Sequence, residues 1–135
     1  MKKIFCSFLM ALVTLSFLVN AHAAGKARVE VLYMNHGPLM ETLTQLKKLF
    51  SGYGDRIAVT WYDFDTKEGE EFMAKKGVRQ HVPIVIWMDN QVKFRVEDKD
   101  IIFAGFPTGS GPQFFQGKWT TADLQKVLDQ LTAKK

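Results

Sequence analysis

Two imidazoles, two nearby thioethers and one strand carboxylate are the side chains here whose types and spacing could do chemistry. His36 lies in Tyr33-Met34-Asn35-His36-Gly37-Pro38-Leu39-Met40, where the apolar run 29–33 meets a helical pattern that begins at Pro38. Proline suits the first turn of a helix, because its missing N–H would have no intrahelical partner there, and the glycine before it lets the chain turn sharply. The positive end of a helix disfavours a cation, so the neutral imidazole, which can ligate a metal or accept a proton, is favoured at His36. His81, two residues before Pro83, is the other histidine downstream of residue 23. Each histidine reads first as an ordinary polar loop residue. The alternative is a copper or zinc site that uses His36 and His81, with Met34 or Met40 adding a soft donor.

Glu30 offers a second chemistry, either as a buried carboxyl with a raised pKa or, the reading preferred here, as an edge residue pointing outward. A Glu30–His36 pair could be drawn as a general base, but nothing in the sequence supplies its nucleophile or oxyanion site. Asp63-Phe64-Asp65 mimics a metal-binding DxD, and a strand end followed by a helix cap explains both carboxylates. Thiol chemistry is confined to Cys6, the sole cysteine.

That cysteine lies in an N-terminal leader. Lys2 and Lys3 precede the apolar run 4–19, and Ala21-His22-Ala23 is a small-x-small pattern that a signal peptidase could cut before Ala24. Residues 1–23 are therefore expected to be a secretory signal peptide, since sixteen apolar residues fall short of the roughly 20 that a membrane span needs. The expected location is the periplasm or the exterior, with no stable membrane insertion after cleavage. An exported chain without a further cysteine forms no internal disulfide and no thiolate–metal site. Removing Lys2 and Lys3 lowers the net charge of +4 to about +2, which is too little and too interspersed for a nucleic-acid partner or an anionic membrane.

The elements that must position these residues follow from periodicity. Residues 28–33 read as a buried strand. From Pro38 to Phe50 the positions Leu39, Leu43, Leu46 and Phe50 form one helical face, which Met40 and Leu49 widen. Glycines 52 and 54 end that helix. Residues 57–64 are β-branched and aromatic, hence a strand; Asp65 and Glu68 suggest a capping box for a short helix through Lys76, closed by Gly77. Residues 84–88 are continuously apolar, as in a central strand buried on both faces. A hairpin follows, with one strand through Val92, Phe94 and Val96, a turn at 98–100 and a further strand over 101–103. Residues 105–119 are rich in glycine, proline and aromatics, and the last helix begins at Thr120, where Thr120 and Asp123 could cap it.

His36-Gly37-Pro38-Leu39 resembles the Cys-Gly-Pro-Cys site of thioredoxins with both cysteines replaced. The order strand, helix, strand, helix, proline-led strand, hairpin, helix is also similar to that family over residues 24–135. The fold class expected is thus α/β, a single thioredoxin-like domain with a mixed central sheet flanked by helices and an extended loop before the C-terminal helix. The resemblance implies that Pro83 is cis and that the backbone before it pairs with a bound peptide. It also brings His36 and His81 to one place, and it sets Glu30 near the family's buried acid. Two departures matter. CxxC disulfide exchange is excluded chemically, and the region 92–119 is longer than the family's hairpin, with the additional residues mostly in 104–119.

The function expected is a redox-inactive exported module, not an enzyme and without a cofactor, that binds a peptide, protein or small ligand non-covalently. Its surface would combine Asn35, His36, Gly37, Pro38, Val82 and Pro83 with Phe106, Phe114, Phe115 and Trp119. These four aromatics have two readings, a buried lid against the sheet or an exposed hot spot beside His36 and Pro83.

Overall fold

A computed structural model describes residues 25–135, and the expected signal peptide, 1–23, lies outside them. Strand β1, Ala27–Tyr33, forms the middle of a three-stranded mixed sheet. On one side it pairs in parallel with β2, Ile57–Asp63, and on the other it runs antiparallel to β3, Ile84–Met88. The far edge of β3 is covered by the chain around Ala104. Ile86 donates to the Phe103 carbonyl at 2.9 Å, and Gly105 donates to the Ile84 carbonyl at 2.8 Å. All five residues of β3 are accordingly buried.

Alternation along β1 sends Val29 and Val31 to one face and Glu30 and Leu32 to the other. The first face is covered by helix α1, Met40–Ser51, and helix α3, Thr121–Ala133, through Leu43, Leu46, Phe50, Leu124, Val127 and Leu128. Helix α2, Lys67–Lys76, covers the second face through Phe72, beside Phe64, Val85 and Trp87. A hairpin of β4, Lys93–Val96, and β5, Lys99–Ile102, leads to the long loop. Behind α1, the buried Tyr53 ties the loop to α3, its hydroxyl donating to Asp129 at 2.7 Å. Burial first, and then that hydrogen bond, push the Tyr53 pKa up.

Several expectations need correction. The cap of α2 is Thr66, whose hydroxyl accepts from the Gly69 N–H, and not Asp65. Asp65 instead lies in the turn, its N–H bonded to the Asp63 carboxylate. The β4–β5 turn is at Glu97 and Asp98, with Glu97 at φ 54°, so Lys99 and Asp100 belong to the strand. Met40 is exposed because the stripe of α1 faces the sheet one position away. Glu30 does not point outward. It is buried on the α2 side, where Lys76 Nζ reaches its carboxylate at 2.7 Å, and that pairing makes the burial tolerable. At the other ends the pattern was sufficient: Gly77 closes α2 at φ 69°, and Thr120 and Asp123 form the full capping box of α3.

Candidate functional site

The site is built where β1 runs out. The Met34 N–H donates to the Pro83 carbonyl at 3.0 Å, fixing the residues just before His36 against the loop that precedes β3. His36 is extended, and Gly37–Leu39 forms a 3₁₀ turn with Pro38 in its first positions, continuing directly into α1. Leu39, the last residue of that turn, is buried. The Val82-Pro83 bond is trans, since none of the described residues has a cis peptide, which corrects the cis proline that the resemblance implied. Trans is the intrinsic preference of an X–Pro bond.

The long loop is not loose. Phe106 donates to the Phe115 carbonyl at 2.9 Å and Gly117 to the Phe106 carbonyl at 2.7 Å, so the chain doubles back on itself. Gly105, at φ 78°, makes this possible. A Cβ there would stand 2.7 Å from the Phe115 oxygen. The Gln116 side chain spans the tip, accepting from Gly109 and donating to the Gly111 carbonyl. Ser110 meets Thr42 of α1 at 2.9 Å, pinning the tip over the start of that helix.

This folding divides the four aromatics. Phe106 and Trp119 are buried, with the Trp119 indole N–H shared between the Ala104 and Gly105 carbonyls at 3.2 Å each. Trp119 therefore belongs to the core and offers nothing to a partner, a correction to its place in the expected surface. Phe114 and Phe115 point outward, and Phe114 is 91% exposed. Neither reading of the loop fits all four side chains; the doubling back turns two in and two out.

Between α1, the 81–83 loop and this tip lies an apolar groove of about 210 Å³. Met34, His36, Pro38, Leu39, His81, Pro83, Phe106, Pro112 and Phe115 line it. His36 and His81 thus meet on one cavity, with Met34 and not Met40 as the accompanying thioether. The His81 ring stands edge-on to Phe64, with centroids 5.6 Å apart. Across Phe115 and Pro83 a second depression of about 320 Å³ takes in Gln80, Val82, Gln116 and the exposed Phe114. Asn35 and Gly37 are exposed beside the groove but do not line it. Among the described residues, the backbone N–H and C=O groups of Gln80, His81 and Val82 have no hydrogen-bond partner.

Leu39, Met34 and Pro112 complete the groove although they were not part of the expected binding surface. Leu39 could have been anticipated, since it opens the apolar stripe of the first helix beside His36. Pro112 carried no signal beyond its place in a glycine-proline loop.

The chain matches no family model, no curated protein and no solved structure. Any functional reading therefore rests on the groove itself. Among the described residues no group of three or more His, Cys, Asp or Glu side chains converges as a metal cluster, and no helix is long and apolar enough to cross a membrane.

Proposed function

We propose that this is an exported, redox-inactive thioredoxin-like domain that binds an extended peptide or protein segment non-covalently and does no catalysis. The reading is carried by one observation: the apolar groove abuts a run of backbone, Gln80 to Val82, whose polar groups are unpaired. A peptide laid along that run can add its own main chain to the free groups while alternate side chains drop into the groove and the depression beside it. Phe115 separates the two depressions and would be the anchor between them. The thioredoxin-like assignment draws support from the strand order β2-β1-β3, with β2 parallel and β3 antiparallel to β1, and from Gly37-Pro38 opening the first helix. Export draws support from the leader alone.

A displayed library of random peptides, selected against the protein, tests this. Selected sequences should share a large apolar residue in an extended context. Phe115→Ala should weaken them at least about tenfold, as for an aromatic hot spot. Val82→Pro, which deletes one backbone donor, should do similar damage, while His36→Ala should cost only a few-fold, on the order of one rim contact. Peptides that bind both of the first two variants as well as the parent would overturn the placement.

A second reading is favoured by the meeting of His36, His81 and Met34 on one groove. Two imidazoles and a thioether, with no carboxylate in the lining, suit a soft monovalent ion. A divalent ion would enter an apolar cavity with nothing to offset its charge, so copper(I) is preferred to zinc. Titration with Cu(I), Cu(II) and Zn(II), read by the ring resonances of both histidines, should shift the two rings together with Cu(I). A binding isotherm unchanged by His36→Ala/His81→Ala would remove this reading and leave the peptide site untouched.

A further inference from the structure

Outside the groove, the three-stranded sheet has a free edge. Strand β2 pairs with β1 on one side, and among the described residues nothing pairs with its other side. The Phe64 N–H donates to the Tyr33 carbonyl, so by alternation the backbone groups of Ile57, Val59, Trp61 and Asp63 point away from β1. Natural sheets blunt such edges with prolines, lysines, bulges or covering segments. Here the interior of the strand is Ala58-Val59-Thr60-Trp61-Tyr62, without charge or proline, and its register with β1 is continuous over Ile57 to Asp63.

We infer that β2 is a self-association edge, on which a second copy of this chain pairs its own β2 antiparallel to form one continuous sheet. The strand is self-complementary in a single full-length register, with Thr60 on the two-fold axis. Val59 then lies opposite Trp61 of the other copy, and Ile57 opposite Asp63. The Val59–Trp61 pairs exchange backbone hydrogen bonds, whereas the Asp63 carbonyl is already taken by the Thr66 N–H and hydroxyl and leaves only its N–H for Ile57, and the two Thr60 residues form the close, non-bonded pair, about 4.5 Å between Cα atoms.

The side chains agree with this register. Val59 and Trp61 are half-buried on the α1 face, and their cross-strand pairing is of the aromatic with β-branched kind that stabilises sheets. A depression of about 220 Å³ flanks the edge there, lined by Phe50, Ile57, Val59 and Trp61 with Lys47 as its one charged residue. Lys47 Nζ stands 5.6 Å from the Trp61 ring centre. The group that the two-fold brings opposite Ile57 is the Asp63 carboxylate of the second copy. Its charge complements Lys47, and the same pairing recurs across the axis. Thr60 and Ala58 are exposed on the other face, and α2 meets the strand beyond them, where Tyr62 stacks on Phe72 and Gly69 lies against the Asp63 carbonyl.

Sedimentation equilibrium of the protein as purified from its host, with amide exchange alongside, tests the inference. The parent chain should be a dimer at high micromolar concentration, with the Val59 and Trp61 amides protected in a concentration-dependent way. Thr60→Lys sets two ammonium groups against each other on the axis and should weaken the dimer at least about tenfold, with an unchanged circular dichroism spectrum. Thr60→Glu should do the same, and an equimolar mixture of the two variants should restore a dimer. A monomeric parent would overturn the inference, as would an edge protected at every concentration because residues before Gly25 occupy it. A Thr60→Lys dimer as tight as the parent's would also overturn it.

Discussion

Lys76→Met is expected to destabilise this protein by about 3 kcal/mol or more, the usual cost of removing one partner from a buried ion pair. Lys76 Nζ reaches the Glu30 carboxylate at 2.7 Å and the Asn90 side-chain oxygen at 2.6 Å. It also stands over the rings of Phe72 and Trp87, at 5.1 and 5.3 Å from their centres. Methionine keeps most of the stem's packing and loses the ammonium. Glu30 would then be left buried with only Arg28 nearby, at 4.0 Å. Glu30→Leu alone should also be costly, because it strands the ammonium instead. The double variant Glu30→Leu/Lys76→Met should recover most of the loss, since an apolar pair of similar volume is often as stable as the ions it replaces. Urea unfolding of the four proteins closes this double-mutant cycle. Lys76→Met within about 1 kcal/mol of the parent, no more than an exposed ion pair contributes, would mean that Glu30 is in contact with water.

The pair explains why part of this molecule was legible in its sequence and part was not. The stripe Leu39, Leu43, Leu46 and Phe50 and the run 84–88 are local patterns, and each of these residues is buried. Whether Glu30 faces in or out depends on Lys76, forty-six residues away, and no local pattern carries that. The cap of α2 slipped from Asp65 to Thr66 because two acceptors in a row compete, and the Asp63 carboxylate engages the Asp65 N–H. Of the site, the strand-turn-helix around His36 was readable because Gly37-Pro38 punctuates the chain. The division of Phe106 and Trp119 from Phe114 and Phe115 was not, since it follows from how 105–107 and 115–117 pair across the loop. Leu39 from the helix start joins Phe115 and Pro112 from the closed loop in lining one groove.

Gly69→Ala is the substitution for which helix propensity and packing predict opposite signs, and packing is expected to prevail. Alanine in place of glycine inside a helix is ordinarily stabilising by about 1 kcal/mol. At Gly69, however, a Cβ would lie 1.7 Å from the Asp63 carbonyl oxygen and 2.6 Å from its carbon. That oxygen already accepts the Thr66 N–H at 3.1 Å and the Thr66 hydroxyl at 2.9 Å. The obstacle is backbone at the end of β2 and not the tip of a flexible side chain, so α2 or the strand must move. Overpacking of this kind costs about 1–3 kcal/mol beyond the propensity gain, so the variant should be less stable by urea unfolding. Gly37→Ala is the control. Its Cβ would meet nothing within 4 Å, and stability should change by no more than about 0.5 kcal/mol. The displacement should also be felt at the groove, because Phe64, next to the obstructed carbonyl, is the ring against which His81 stands. Gly69→Ala should therefore shift the His81 ring resonances while leaving those of His36 in place. A Gly69→Ala protein at least as stable as the parent would mean that α2 does not rest on the end of β2, and the seat of His81 would have to be sought elsewhere.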